Sequence, residues 1–180
     1  MRQVIRPRYS DGTNVTAGAG AGDSTDVDAF LNKHQQRPYE YGRWDCGIFT
    51  RAWAESINPQ FPKKVAYSEG LSVQEWLLEW RARRYVHLVD HADDLLLRVG
   101  RYYVQVGDIA VYDYDHTVRV PKFAEQLTNK HRAKLIMRYG YFIVVSPSLA
   151  ASVYGKGVFY RELRDPKFVA FYSTERSKQT

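Results

Sequence analysis

Apolar residues recur at helical spacing in the first half of the chain and in short alternating runs in the second half. The first stripe predicts a helix that begins near Thr25 and ends before Pro38. Its apolar positions are Val27, Phe30 and Leu31. A second stripe predicts a helix that begins at Asp45 or Cys46 and ends before Pro59. Its apolar positions are Ile48, Phe49, Ala52, Trp53 and Ile57.

Two further helices are predicted in the region that follows. Ser72 and Glu75 have the spacing of a capping box, which predicts a helix over residues 72–84. A shorter helix is predicted from Asp90 to Val99, and the glycine after it favours helix termination. Both helices would precede the strand-rich part of the chain.

The second half of the chain has the pattern of an antiparallel sheet. Residues 102–114 predict two short strands around a Gly-Asp pair. Four more strands are predicted at residues 141–146, 149–154, 157–163 and 167–173. Gly155 and Gly157 mark a hairpin, and residues 121–138 have helical spacing between the two strand groups. Helices followed by antiparallel strands predict an α+β domain, with N-terminal helices packed on a small antiparallel sheet.

The ends of the chain differ in composition from this domain. Residues 1–24 are rich in Gly, Ala, Ser and Thr and lack an apolar period, so we predict an extended arm. We expect a partner protein to hold this arm, as in an assembly component. The α+β domain is predicted over residues 25–174, and residues 175–180 form a polar tail.

Composition limits the class of protein. The net charge of +6 indicates an anionic partner: nucleic acid, cell-wall polymer, a membrane surface or an acidic protein. No apolar run approaches the roughly 20 residues that a membrane helix needs, and the first residues do not resemble a signal peptide. We therefore expect synthesis in the cytoplasm. A single cysteine excludes an internal disulfide and a multi-cysteine zinc site.

The strongest basic cluster lies in residues 119–138, which would form an insertion in the domain. Its cations are Arg119, Lys122, Lys130, Arg132, Lys134 and Arg138, against the single acid Glu125. The cluster would bind phosphates or an acidic neighbour in an assembly. A solvated helix face is the alternative interpretation.

A second group has metal-ligand chemistry. His87, His91 and Asp94 would share one face of a helix, as metal ligands do. The segment looks exposed and lies at a helix start, where acids are favoured without any metal. We therefore predict no metal and no cofactor.

The segment YEYGRWDCGIF, residues 39–49, resembles the nucleophile motif of the NlpC-type, papain-like cell-wall cysteine peptidases, and is closest to small phage-encoded or prophage-encoded members. The matching residues are Tyr41, Gly42, Asp45, Cys46 and Phe49. A second element, VGDIAVY, resembles the family's Gly-Asp strand at Gly107 and Asp108. The resemblance spans residues 26–174.

This resemblance implies that Cys46 is the nucleophile at the start of a helix packed on the sheet. It implies a cleft lined by Tyr41, Gly42, Trp44, Asp45 and Tyr141. From the residues themselves, Asp45 is expected to cap the helix and Gly42 to supply a turn. Trp44 would either line the cleft or fill the edge of the core.

The chain departs from the family where its catalytic histidine is expected. The best-matching segment is RYGYFIVVS, in which Gly140 or Tyr141 stands in place of the histidine. Neither residue accepts a proton from a thiol near neutral pH. The family's third, polar residue would lie on the next strand, which offers only Ser148 and Ser152. In an alternative alignment, His116 is the base and residues 121–138 follow as an insertion.

The position of Cys46 suits a reactive thiol, because a helix N-terminus lowers a thiol pKa. Arg43 would lower it further and Asp45 would oppose this effect. Without an imidazole, however, nothing obvious protonates a leaving amine. The alternative is a small buried residue without a catalytic role.

Three functions follow from these observations. The first is a phage virion or tail-associated structural protein on a degenerate NlpC-type scaffold, made in the host cytoplasm, with virion proteins as partners of its arm. The second is an active cell-wall cysteine peptidase or amidase, with Cys46 as nucleophile and His116 as base. The third is a nucleic-acid-binding accessory protein, supported by charge alone.

Overall fold

The computed structural model describes residues 24–58, 78, 81–82, 84–85, 88–115 and 128–177. Within them, α-helices span Ser24–His34 (α1), Cys46–Ile57 (α2), Leu88–Leu95 (α3) and Asn129–Arg138 (α4), and a 3-10 helix spans Arg101–Tyr103. Strands span Leu96–Val99 (β1), Ile109–Asp113 (β2), Tyr139–Ser146 (β3), Leu149–Tyr154 (β4), Gly157–Glu162 (β5) and Phe168–Ser177 (β6). The predicted α+β fold is confirmed.

The first two helices form where the apolar stripes predicted them. In α1, Val27 and Leu31 are buried on the side of the helix that faces the sheet. In α2, Ile48, Phe49 and Trp53 are buried. Because their apolar side chains recur every three or four residues, each helix buries a single stripe and leaves the rest exposed.

The six strands form one antiparallel sheet in the order β1-β6-β2-β3-β4-β5. Strand β6 therefore lies between β1 and β2, and β1 and β5 are the edges. The predicted hairpin is confirmed, since β4 and β5 pair through a turn at Gly155 and Gly157.

Because successive side chains of a strand point to opposite sides, the buried residues lie on both faces of the sheet. The face that packs against α1, α2 and α3, which we call the helix face, includes Val111, Tyr141, Ile143, Val153 and Tyr172. The opposite face, which we call the far face, includes Tyr112, Phe142, Val144, Phe168 and Phe171. Both sets are almost completely buried.

Three boundaries differ from the prediction. The helix expected over residues 90–99 ends at Leu95, and Leu96–Val99 form β1 because they pair with β6. Tyr102 and Tyr103 lie in the 3-10 helix with exposed rings, so the first strand predicted in residues 102–114 is absent. Strand β6 continues to Ser177, past the predicted domain boundary at residue 174.

Several predicted segments lie mostly or wholly outside the described residues. Leu78, Arg81 and Ala82 are helical, in agreement with the helix predicted over residues 72–84, and most of the remaining positions of that helix are outside. The arm is also outside the described residues, up to residue 23. For the helix predicted over residues 121–138, the structure confirms the part that forms α4.

Candidate functional site

The loop before α2 is organised by Asp45. Its carboxylate accepts hydrogen bonds from the backbone N–H groups of Gly42 (2.9 Å), Gly47 (3.0 Å) and Ile48 (3.1 Å). Gly42 has φ +75°, a conformation that glycine adopts without strain. The predicted helix cap at Asp45 and the predicted turn at Gly42 are both confirmed. Asp45 therefore fixes the backbone on either side of Cys46.

Cys46 is the first residue of α2, and its thiol is a weak acid in this structure. Burial raises its pKa from 9.0 to about 12, and the neighbouring Asp45 carboxylate raises it as well. The backbone N–H of Tyr141 opposes this shift by hydrogen bonding to the sulfur. The helix N-terminus therefore does not produce a thiolate here, because desolvation outweighs the favourable N–H groups.

Tyr141 is the residue of β3 whose backbone N–H bonds to the Cys46 sulfur, and with Gly140 it is one of the two positions at which the resemblance expects a histidine. Its hydroxyl lies 2.9 Å from Nδ1 of His91 on α3. Burial raises the pKa of Tyr141 well above its usual value, so the phenol is neutral at physiological pH. Ser152 on β4 donates its hydroxyl to the Tyr141 carbonyl at 2.7 Å. Both ends of Tyr141 are thus held by hydrogen bonds.

Gly140 has a different role from Tyr141. The ring of Tyr114 packs over it so closely that a Cβ at position 140 would lie 2.6 Å from a ring carbon. A side chain at this position would therefore have to displace Tyr114. Burial raises the pKa of Tyr114, the Cys46 sulfur raises it further, and the Arg161 guanidinium lowers it. Tyr114 thus lies within electrostatic range of both residues.

A cavity of about 550 Å³ lies beside Cys46, Tyr114 and Tyr141. It lies at the end of the sheet where β3 and β4 are not paired. Their pairing begins at Ile143 and Ala151 and continues toward the turn between the two strands. It is lined by Tyr39, Tyr41, Asp45, Cys46, Gly47, Thr50, Arg51, His91, Ala92, Leu95, Leu96, Ile109, Tyr114, Met137, Tyr139, Tyr141, Val153, Tyr154, Phe159 and Arg161. Its size is typical of small-molecule sites, which span roughly 300–1,000 Å³.

Three of the five residues expected to line a cleft do so: Tyr41, Asp45 and Tyr141. Gly42 and Trp44 do not. Trp44 is buried against the rings of His34 (4.7 Å) and Phe49 (5.9 Å), and the guanidinium of Arg37 covers its ring at 3.8 Å. Of the two interpretations of Trp44, the core edge is correct.

The sequence indicated that His91 lies in an exposed segment, but the structure places it in this site. It is only 4% exposed and lines the cavity together with Cys46. Its position four residues before Leu95 places both on one side of α3, which is the signal that could have identified it. His116, the alternative base, lies outside the described residues.

The polar face of α3 bonds to tyrosines. The Tyr85 hydroxyl donates to Asp94 at 2.5 Å, and the Tyr172 hydroxyl donates to Asp93 at 2.9 Å. Together with the His91–Tyr141 contact, these bonds attach α3 to its surroundings. His87 lies outside the described residues, within which no group of three or more metal-ligating side chains is close enough to hold an ion.

The residues of the basic cluster differ in their interactions and exposure. Arg138 donates from Nε and Nη2 to both oxygens of Asp113, at 2.8 Å and 2.6 Å, and both side chains are nearly buried. Arg138 is therefore a structural residue rather than one that faces an anionic partner. Lys130 and Lys134 are exposed on α4. Arg119, Lys122 and the side chain of Arg132 are outside the described part of the chain.

Comparison with known proteins identifies the family. The chain belongs to the family described as a domain of unknown function, DUF6950, whose model matches residues 22–136. The match includes Cys46, the Gly-Asp strand and His91. No curated protein and no solved structure matches the chain. In the part of the chain that the structure describes, no helix is long and apolar enough to span a bilayer.

Proposed function

We propose that this protein is a non-catalytic component of a phage virion or tail, built on a scaffold similar to that of the NlpC-type cysteine peptidases. In this proposal the cavity beside Cys46 holds a ligand without cleaving it. The polar arm of residues 1–24 and the net charge of +6 support an assembly role at the level of sequence. The site supports the absence of cleavage.

The observation that carries the proposal is the pairing of Cys46 with Tyr141. A neutral phenol with a raised pKa does not take a proton from a thiol whose own pKa is about 12. Because the pKa of the Cys46 thiol is raised, its thiolate fraction at pH 7 would be far below the few per cent of an ordinary cysteine. General acid–base catalysis contributes about 10²–10⁴-fold, so its loss removes most of the activity expected of a peptidase.

Thiol titration combined with a cleavage assay tests this proposal. Alkylation of the single thiol by iodoacetamide should be slow at pH 7 and should rise about tenfold per pH unit up to pH 10, without a plateau. Purified peptidoglycan should release no peptide fragments above the level of a Cys46→Ala control. A plateau below pH 8, together with hydrolysis that Cys46→Ala abolishes, would show that the protein is an enzyme.

The assembly role has its own test. An antibody against the protein should detect it in purified particles of the phage or prophage that encodes it. Deletion of residues 1–20, which leaves α1 intact, should reduce incorporation without changing the circular dichroism of the domain. Particles that lack the protein, or normal incorporation of the truncated chain, would contradict the proposed use of the arm.

A cysteine peptidase or amidase is the second candidate, and one observation favours it: His91 lines the same cavity as Cys46. In this case His91 or His116 would be the base. Replacement of each histidine by alanine in the cleavage assay distinguishes the two candidate bases. Only the variant that lacks the true base would show reduced Cys46-dependent hydrolysis.

A further inference from the structure

The charged side chains and the histidine around the cavity are mostly engaged by the protein itself. The carboxylate of Asp45 accepts three backbone N–H groups. Arg51 forms an ion pair with Glu55 at 2.7 Å. His91 contacts the Tyr141 hydroxyl at 2.9 Å. Arg161 on β5 differs from these residues in what surrounds it.

The guanidinium of Arg161 is held by aromatic rings. Its central carbon lies 4.4 Å from the centre of the Tyr112 ring, 5.6 Å from that of Tyr114 and 5.8 Å from that of Phe159. Its Nη1 donates to the Tyr112 hydroxyl over a long 3.3 Å. These contacts fix the direction of the side chain and remove much of its hydration, which makes the charge stronger toward a ligand.

The same guanidinium lacks an acidic partner within the described residues. No carboxylate oxygen there lies within 4.0 Å of its nitrogens, and its buried Nε has no hydrogen-bond acceptor. Asp165 accepts instead from the Tyr112 hydroxyl at 2.8 Å and from the Lys167 N–H at 2.9 Å. A partly buried cation that has hydrogen bonds only to tyrosine hydroxyls and an unpaired Nε donor favours an anion from outside the chain.

The other residues of the cavity wall indicate which kind of uncharged group the ligand would carry. Seven of its lining residues are aromatic: Tyr39, Tyr41, Tyr114, Tyr139, Tyr141, Tyr154 and Phe159. Aromatic walls favour flat, apolar rings through offset and edge contacts. The planar fork of an arginine matches the two oxygens of a carboxylate.

We propose that the cavity binds a small aromatic carboxylate, with Arg161 as the residue that binds the acid group. The ring of the ligand lies among the tyrosines at the end of the sheet, and its carboxylate pairs with the guanidinium beside Tyr114. This inference rests on the proposed function, in which the cavity holds a ligand without cleaving it. It adds the chemical class of that ligand and the residue that selects it.

Calorimetric titration of the full-length protein with two matched probes tests the inference. The probes are 2-naphthoate and 2-naphthamide, which share a ring system and differ in charge. We expect the naphthoate to bind at least about tenfold more tightly, as a charge-assisted hydrogen bond predicts. Arg161→Gln should remove this preference, with a larger loss of affinity for the naphthoate than for the amide. Arg161→Lys should retain part of it, because it keeps the charge and loses the fork.

Arg164→Gln is the matched control, since Arg164 is exposed, pairs with Glu162 and does not line the cavity. It should bind both probes as the unchanged protein does. Equal affinity for the two probes, no binding of either, or an equal loss of both in a folded Arg161→Gln protein would overturn the ligand class. Those results would leave the proposed function intact, whereas Cys46-dependent turnover would overturn that function without affecting the charge preference.

Discussion

On the helix face of the sheet, buried tyrosines bond through their hydroxyls to α3, whereas on the far face phenylalanine rings pack against one another. Tyr141 and Tyr172 contact His91 and Asp93 on the helix face. On the far face, the Phe142 ring meets those of Phe159 and Phe168 nearly edge-on, at 5.4 Å and 5.3 Å. The same strands supply both sets of residues, because alternate side chains point to opposite faces.

The difference shows how one sheet carries both a stable core and a polar site. The phenylalanines of the far face are stabilised by burial and ring geometry and need no partner groups, whereas Tyr112 on that face donates its hydroxyl to Asp165. A tyrosine core is stable only when every buried hydroxyl has a partner, which ties the sheet to α3. Of these two tyrosines on the helix face, Tyr141 lines the cavity together with Cys46 and His91. Three substitutions test this contrast.

The largest effect is expected on the far face. Phe142 is fully buried, so Phe142→Ala should lower the free energy of unfolding by about 3–5 kcal/mol. Urea denaturation followed by tryptophan fluorescence measures this loss. Phe142→Leu, which keeps most of the volume, should cost less than about 1.5 kcal/mol. A loss below about 1 kcal/mol for the alanine variant would mean that the far face is not a packed core.

The ion pair between Asp113 and Arg138 should give the next effect. Asp113→Asn removes the carboxylate that pairs with a nearly buried guanidinium, and we expect a loss of about 3 kcal/mol. The control is Glu162→Gln, which removes an exposed pair with Arg164 and should cost at most about 1 kcal/mol. Equal losses in the two variants would contradict the structural role assigned to Arg138.

The smallest effect is expected at Tyr141. Tyr141→Phe removes one buried hydrogen bond to His91 and should cost about 1 kcal/mol at pH 8. Because the pKa of Tyr141 is raised in the folded protein, its contribution is fully present below the usual tyrosine pKa near 10 and is lost as the pH rises above it. Phenylalanine does not titrate.

The gap in unfolding free energy between the two proteins should therefore narrow from pH 8 to pH 11. Urea melts at several pH values measure this gap. A gap that is constant or that widens would mean that Tyr141 is not a neutral, hydrogen-bonded phenol in the folded state.

The features that the sequence predicted are those set by neighbouring residues. The cap at Asp45 and the start of α2 depend on hydrogen bonds that reach at most three residues along the chain. Strands β3 to β6 follow from apolar runs bounded by turn residues. These local signals also sufficed to predict the α+β class.

The features that were missed depend on distant pairing. Strand β1 forms because Leu97 and Val99 lie opposite Ser173 and Phe171, more than 70 residues later. The contact between His91 and Tyr141 spans 50 residues, and helical spacing alone did not identify its partner. Arg138 looked like a surface cation because its partner Asp113 lies on a strand 25 residues earlier.

The close packing of Tyr114 on Gly140 limits where this strand can hold a histidine. A histidine introduced at position 140 would collide with the Tyr114 ring, and one introduced at position 141 would give up the bond to His91. A histidine at position 140 therefore requires a second substitution that makes room at Tyr114.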